Sequence, residues 1–272
     1  MSEPEAKAED KAGKTAASAG EALLFTENLR KTYGAREVVK GVSLQVRAGE
    51  IVGLLGKNGA GKTTTFSMVV GLVRPSVGEV RFMGKVINRL PMFRRARLGI
   101  GYLPQESSVF QKLSVSDNLL AVLETMPYGR AERKRRMGLL MEDLGLTPLA
   151  YSAAHTLSGG ERRRLEVARA LALRPKVMLF DEPFTGIDPI TVAEIQSIMR
   201  GLREKGIGVL ITDHRVSETI SITDHSYLID SGVVFCKGTP QELAVNKDAR
   251  DRYLGENFFL IPPPPARPMR GD

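Results

Sequence analysis

The chain has 272 residues, of which 42% are hydrophobic and 26% charged, a balance that fits a globular protein with a substantial core. Its formal charge is +8, but the basic clusters at Arg94, Arg95 and Arg97, at 133–136 and at 162–164 are scattered and have no aromatic interleaving, which favours a solvated or phosphate-facing surface over a nucleic-acid partner. The single cysteine, Cys236, excludes an internal disulfide, and no apolar run approaches the ~20 residues of a membrane-spanning helix.

Residues 1–22 are rich in Ala, Glu, Lys and Gly, with no apolar period and no secretory h-region. A disordered leader on a cytoplasmic protein is the expectation. One domain is expected over 23–260, because no linker divides it and no repeat recurs along it. Strands are expected at 23–29 and 38–46, then a short apolar strand at 50–55 that runs into a glycine-rich turn and a helix from 62 to about 71. A strand at 78–82 follows. From about 107 to 156 the strand signal almost vanishes, and helices at 114–124 and 131–144 make this a helical lobe inserted into the core. A helix at 160–173, a strand at 177–181, a helix at 189–204, strands at 208–212, 227–229 and 233–236, and a helix at 239–245 complete the pattern. Such alternation implies an α/β fold with a parallel sheet. Residues 261–272 carry Pro262, Pro263, Pro264, Pro265 and Pro268, and an extended polyproline-like tail is expected there.

Gly56-Lys57-Asn58-Gly59-Ala60-Gly61-Lys62-Thr63 fits a phosphate-binding loop and lies where that mechanism needs it, after a strand and before a helix. Glycines let backbone N–H groups wrap around phosphates, Lys62 adds a cation at the β/γ end, and Thr63 offers a hydroxyl to Mg²⁺. Downstream, Val177-Met178-Leu179-Phe180-Asp181-Glu182 is an apolar strand ending in two acids. Asp181 at the tip suits Mg²⁺, and Glu182 beyond it suits orienting and deprotonating an attacking water.

Leu157-Ser158-Gly159-Gly160-Glu161 contains a Ser-x-x-Glu capping box and resembles the Leu-Ser-Gly-Gly-Gln signature of the ABC ATPase family, with Glu161 in place of Gln. The resemblance covers roughly 23–258. It implies a P-loop NTPase core with an antiparallel β subdomain and an inserted helical subdomain. ATP and Mg²⁺ are the implied ligands. For ATP it implies Gly56, Asn58, Gly59, Ala60, Gly61, Lys62, Thr63 and Thr64 of the loop, Tyr33 stacked on adenine, Gln105 of Gly101-Tyr102-Leu103-Pro104-Gln105, and Ser158, Gly159 and Gly160 of the signature. Thr63, Gln105 and Asp181 are the implied Mg²⁺ contacts. Glu182, Lys62 and the switch histidine His214 are implied in hydrolysis, while Asp188 lies in the loop that crosses a dimer interface. His155 and His225 read as structural.

The same resemblance implies a homodimer with ATP sandwiched between the loop of one copy and the signature of the other, peripheral on the cytoplasmic face of the bacterial inner membrane. Transmembrane permease subunits would dock near Gln105, where Val109, Phe110 and Leu113 suit either docking or core packing. No direct contact with cargo is implied. In wording, stretches such as Gly99-Ile100-Gly101-Tyr102-Leu103-Pro104-Gln105-Glu106 and Pro183-Phe184-Thr185-Gly186-Ile187-Asp188 are most similar to ATPases of lipopolysaccharide export. Branched-chain amino-acid uptake ATPases are the alternative.

Overall fold

A strand whose every residue is apolar has two faces to bury, and such strands collect at the centre of parallel sheets. The computed structural model describes residues 22–255 and Phe258; the leader expected over 1–22, save its last residue, and the tail expected over 261–272 lie outside the described residues. In chain order the elements are β1 (Leu24–Tyr33), β2 (Arg36–Val46), β3 (Ile51–Leu55), α1 (Lys62–Val70), β4 (Val77–Phe82), β5 (Lys85–Val86), α2 (Met92–Leu98), β6 (Ile100–Leu103), α3 (Val115–Leu123), α4 (Arg130–Asp143), α5 (Gly159–Leu171), β7 (Val177–Asp181), α6 (Pro189–Glu204), β8 (Gly208–Thr212), α7 (Val216–Ile220), β9 (His225–Asp230), β10 (Val233–Gly238) and α8 (Pro240–Val245). A π-helical turn, Arg250–Leu254, follows.

Strands β3, β7 and β8 are buried at every residue. They form the middle of a sheet ordered β10-β9-β3-β8-β7-β6, parallel throughout except for the β9/β10 hairpin. Successive residues alternate between its faces: Val52, Leu54, Leu179 and Leu210 pack with α1 and the second sheet, while Ile51, Met178, Phe180 and Val209 pack with α6. That second sheet, ordered β2-β1-β4-β5, is antiparallel, and its strands leave residues such as Glu27, Arg36 and Lys40 exposed.

The stretch 107–156 holds α3 and α4 and no named strand. Its apolar centre joins Val115, Leu119, Met141 and Leu146 to Leu165 and Ala168 of α5, so α5 serves the lobe and the main core together. Val109 is part of this centre at 8% exposure, which settles its role as packing. Phe110 and Leu113 stay exposed.

Short elements missing from the sequence pattern are β5, α2, β6 and α7. Helix α2 has no apolar stripe because the side chain it buries is Arg95, 1% exposed. The Arg95 guanidinium donates to the carbonyls of Met68 (2.7 Å) and Val69 (2.6 Å) in the last turn of α1, and to Leu90 (2.9 Å). The Met68 and Val69 carbonyls are among the four that a helix end leaves open, and a cation is the favoured partner there.

Candidate functional site

Parallel α/β sheets present their ligand sites beyond the carboxyl ends of the strands. Strands β3, β7 and β8 end at Leu55, Asp181 and Thr212, so the loops starting at Gly56, Glu182 and Asp213 converge on one rim.

The loop from Gly56 to Gly61 turns directly into α1. Its glycines have different reasons to be glycine. A Cβ on Gly56 would overlap the carbonyl oxygen of Ile229, so this position is fixed by close packing against β9. Gly59 has φ +79° and faces open space, where a side chain would fill the cradle. Ala60 is buried, and its carbonyl accepts from Gly232 N–H at 2.9 Å. The Lys62 side chain folds back beneath the loop: its Nζ donates to the carbonyls of Gly56 (2.7 Å) and Lys57 (3.1 Å), and the residue is 4% exposed. Burial holds the ammonium below the ordinary lysine value, against the opposing pull of Glu182, Asp213 and Asp181. Over it lies a cavity of about 360 Å³ walled by Asn58, Gly59, Gly61, Thr63 and Thr64, with Val38 beside it and Glu182 opposite. No acid occupies the first turn of α1 and no side chain caps it. The donor set of backbone N–H groups, one ammonium and two hydroxyls fits a polyphosphate.

Next to Glu182 in the chain, Asp181 at the end of β7 does not line the cavity; it is 7% exposed and accepts from the Tyr102 hydroxyl at 3.2 Å. Burial raises the Asp181 carboxyl above its ordinary value, and burial together with Asp181 pushes the Tyr102 phenol up to about 12. Glu182 has φ +45°, a left-handed backbone unusual for glutamate, and its N–H donates to the Thr212 carbonyl at 2.7 Å. Its carboxylate accepts from Thr185 Oγ1 at 3.3 Å and lies 3.7 Å from His214 Nδ1. The Asp181 carboxylate offers hard oxygen donors of the kind a divalent cation takes.

Other expected residues lie elsewhere. Tyr33 is half exposed at the end of β1, with Lys31 Nζ 4.9 Å from its ring centroid. Gln105 is exposed just beyond β6. Ser158 caps α5: its Oγ accepts from Glu161 N–H (3.3 Å) while the Glu161 carboxylate accepts from Ser158 N–H (2.8 Å), a complete capping box. Gly159 faces open space, and Gly160 lies against Glu194, which is paired with Arg164 at 3.0 Å. None of Tyr33, Gln105, Ser158, Gly159 or Gly160 lines the cavity over Lys62. Helix α5 is tied to the Gln105 segment: Arg163 donates to the Pro104 carbonyl at 3.4 Å, and Arg169 donates to the Ser108 carbonyl and covers the Phe110 ring. His225 pairs with Glu50 at 2.9 Å and His155 meets the Gln111 carbonyl at 3.1 Å, both structural contacts.

Sequence reasoning passed over Tyr102, Asp213 and Tyr253. The Tyr253 hydroxyl donates at 3.4 Å to the Gly56 carbonyl that also holds Lys62, and burial pushes this phenol up to about 12. No local pattern announces a contact across 197 positions.

The model of the ABC transporter family matches residues 39–185. The lipopolysaccharide export system ATP-binding protein LptB of Acidithiobacillus ferridurans is 54% identical over 238 residues, covering 88% of this chain and 99% of that protein. The chain is an ABC transporter ATPase. Among solved structures, this ABC ATPase is similar to an ATP-binding cassette of an ABC transporter in its ADP conformation, with TM-score 0.77, 27% identity and coverage of 87% of this chain and 100% of the other. It is also similar to a dimeric cassette in a post-hydrolysis state bound to ADP and Pi, with TM-score 0.69, 25% identity and coverage of 80% and 98%. ABC ATPases bind nucleotide and work as dimers, and the sheet, lobe and loops above are those of their cassette fold. Among the described residues of this one, no helix is long and apolar enough to cross a membrane.

Proposed function

We propose that two copies of this chain bind two ATP molecules between them, head to tail, and that hydrolysis there powers lipopolysaccharide export from the bacterial inner membrane. One observation carries the sandwich: within one copy, the open glycine Gly159 at the N-terminus of α5 lines no part of the cavity over Lys62. A helix N-terminus with bare N–H groups is an anion receptor, and a second copy can supply it to the first. The export assignment rests on the relative named for lipopolysaccharide export. Nothing favours branched-chain amino-acid uptake over it.

In this reading Gly56, Asn58, Gly59, Ala60, Gly61, Lys62, Thr63 and Thr64 hold the phosphates of ATP, Tyr33 offers its exposed ring to adenine, and Ser158, Gly159 and Gly160 of the partner copy close over the γ-phosphate. Thr63, Asp181 and Gln105 would hold Mg²⁺, which when bound neutralises charge on the phosphate oxygens. Glu182 accepts the proton of the attacking water. His214 stands 3.7 Å from that carboxylate, within reach of the same water. Lys62 stabilises negative charge at the β/γ oxygens from its two carbonyl anchors. The dimer sits peripherally on the cytoplasmic face of the membrane. Exposed Phe110 and Leu113, next to Gln105, are the surface offered to the permease subunits.

Mixing two dead variants tests the sandwich. Lys62→Ala lacks the phosphate cation and Ser158→Arg blocks the signature, and each alone should be inactive. A mixed dimer contains one site built from the intact loop of one copy and the intact signature of the other, so mixing should restore ATP turnover. If the mixture stays as inactive as its components although mixed dimers form, the sites are not shared. Purification from mildly solubilised membranes should bring down lipopolysaccharide-export permeases, and amino-acid permeases in their place would overturn the cargo assignment.

A further inference from the structure

The two groups assigned to hydrolysis, Glu182 and His214, follow neighbouring strands. The β7/β8 ladder ends at the pair Asp181↔Thr212, and the last backbone bond across it runs from Glu182 N–H to the Thr212 carbonyl. It cannot go further as a regular ladder, because Glu182 has turned to φ +45° and Pro183 has no N–H. Beyond that point a side chain spans the gap. Asp213 is fully buried; its Oδ2 accepts from Phe184 N–H at 2.8 Å on the Glu182 loop, and its Oδ1 accepts from His214 N–H at 2.7 Å and Arg215 N–H at 2.9 Å on its own loop. The carboxylate thereby stands in for the missing ladder.

We infer that Asp213 is a positioning residue for ATP hydrolysis: its carboxylate holds the loops of Glu182 and His214 in one fixed relation, and its work requires two acceptor oxygens. The inference rests on the roles assigned above to Glu182 and His214. Only a carboxylate fits, since three N–H donors approach its two oxygens from both sides. An asparagine amide has one acceptor oxygen, and its NH₂ would meet either Phe184 N–H or the His214 and Arg215 pair, donor against donor. Burying a third acid beside Asp181 and Glu182, in a site built for an anion, is costly, and burial does push the Asp213 carboxyl above its ordinary value.

The experiment compares wild type, Glu182→Gln, Asp213→Asn and Asp213→Glu as full-length chains. ATP affinity is read by calorimetry, turnover at steady state, and the ATP-bound dimer by gel filtration. Asp213→Asn should bind ATP near wild-type affinity, lose about 100-fold in turnover, and accumulate the ATP-bound dimer, because a displacement of about 1 Å between reacting groups costs that much. Asp213→Glu, which keeps both acceptors one methylene further out, should recover part of the rate. If Glu182→Gln turns over like wild type, the assignment of the base fails, whatever Asp213 does. With Glu182→Gln inactive, wild-type turnover by Asp213→Asn overturns the inference. So does an Asp213→Glu no better than Asp213→Asn. Loss of folding or of ATP binding in both Asp213 variants would also overturn it, leaving Asp213 as a residue of the fold.

Discussion

Glu161 stands where the family's signature has glutamine, and its surroundings give the substitution a physical meaning. The Ser158 N–H bond, then the Ser158 side chain, hold its carboxyl below the ordinary glutamate value, with Arg164 adding a smaller pull in the same direction against desolvation. A lowered carboxyl contributes stability that is complete above its ordinary value of 4.5 and is lost as pH falls through the lowered folded value. The carboxylate is exposed, so its contribution is small, at most about 0.5 kcal/mol. Glu161→Gln retains an acceptor for the Ser158 N–H while removing the charge. Thermal midpoints should therefore lie slightly higher for wild type near pH 7 and converge with those of the variant as pH falls through the lowered value, so that the acid limb of the variant is the flatter. At this scale the sequence was legible wherever a residue acts on its chain neighbours: the capping box and the loop glycines are local chemistry. Tyr102, Asp213 and Tyr253 act on groups far along the chain, and nothing beside them marks it.

Elements were legible in proportion to their apolar period. Strands β3, β7 and β8, buried along their length, were found within a residue of their ends, as was α6. Helix α2 was not, because the side chain at the centre of its buried face is an arginine. That arginine predicts a stability defect. Arg95→Met keeps length and packing but leaves the carbonyls of Met68, Val69 and Leu90 without their donor, and the net loss should be about 2 kcal/mol. Denaturant unfolding of the nucleotide-free protein checks it, with an unchanged midpoint as the contrary result. Since α1 begins at Lys62, the proposed phosphate ligand, the same variant should also weaken nucleotide binding modestly, through loosening of the far end of that helix.

At the scale of the whole molecule, half of the proposed site was readable and half could only be inferred. Lys62, Thr63, Thr64 and Glu182 share one cavity in a single copy, whereas Ser158, Gly159 and Gly160 belong to a helix whose end faces elsewhere. Order along a chain cannot say that two motifs meet across copies; that is what the proposed head-to-tail dimer adds. Glu182→Gln follows from it directly. The variant should bind ATP, lose turnover by about 100-fold or more, and run on gel filtration as a dimer in ATP and as a monomer without it. A monomer in both conditions would count against a shared site.

The contact between Tyr253 and the Gly56 carbonyl joins the last described helical turn to the first residue of the phosphate loop. Trimming or tagging this end of the protein is thus not a neutral act for an enzymologist. A shortened version that stops before this phenol would keep every motif of the proposed site in its sequence and still hold the Gly56 loop less firmly, so a lowered nucleotide affinity in such a preparation should be charged to the missing strut before any motif is blamed.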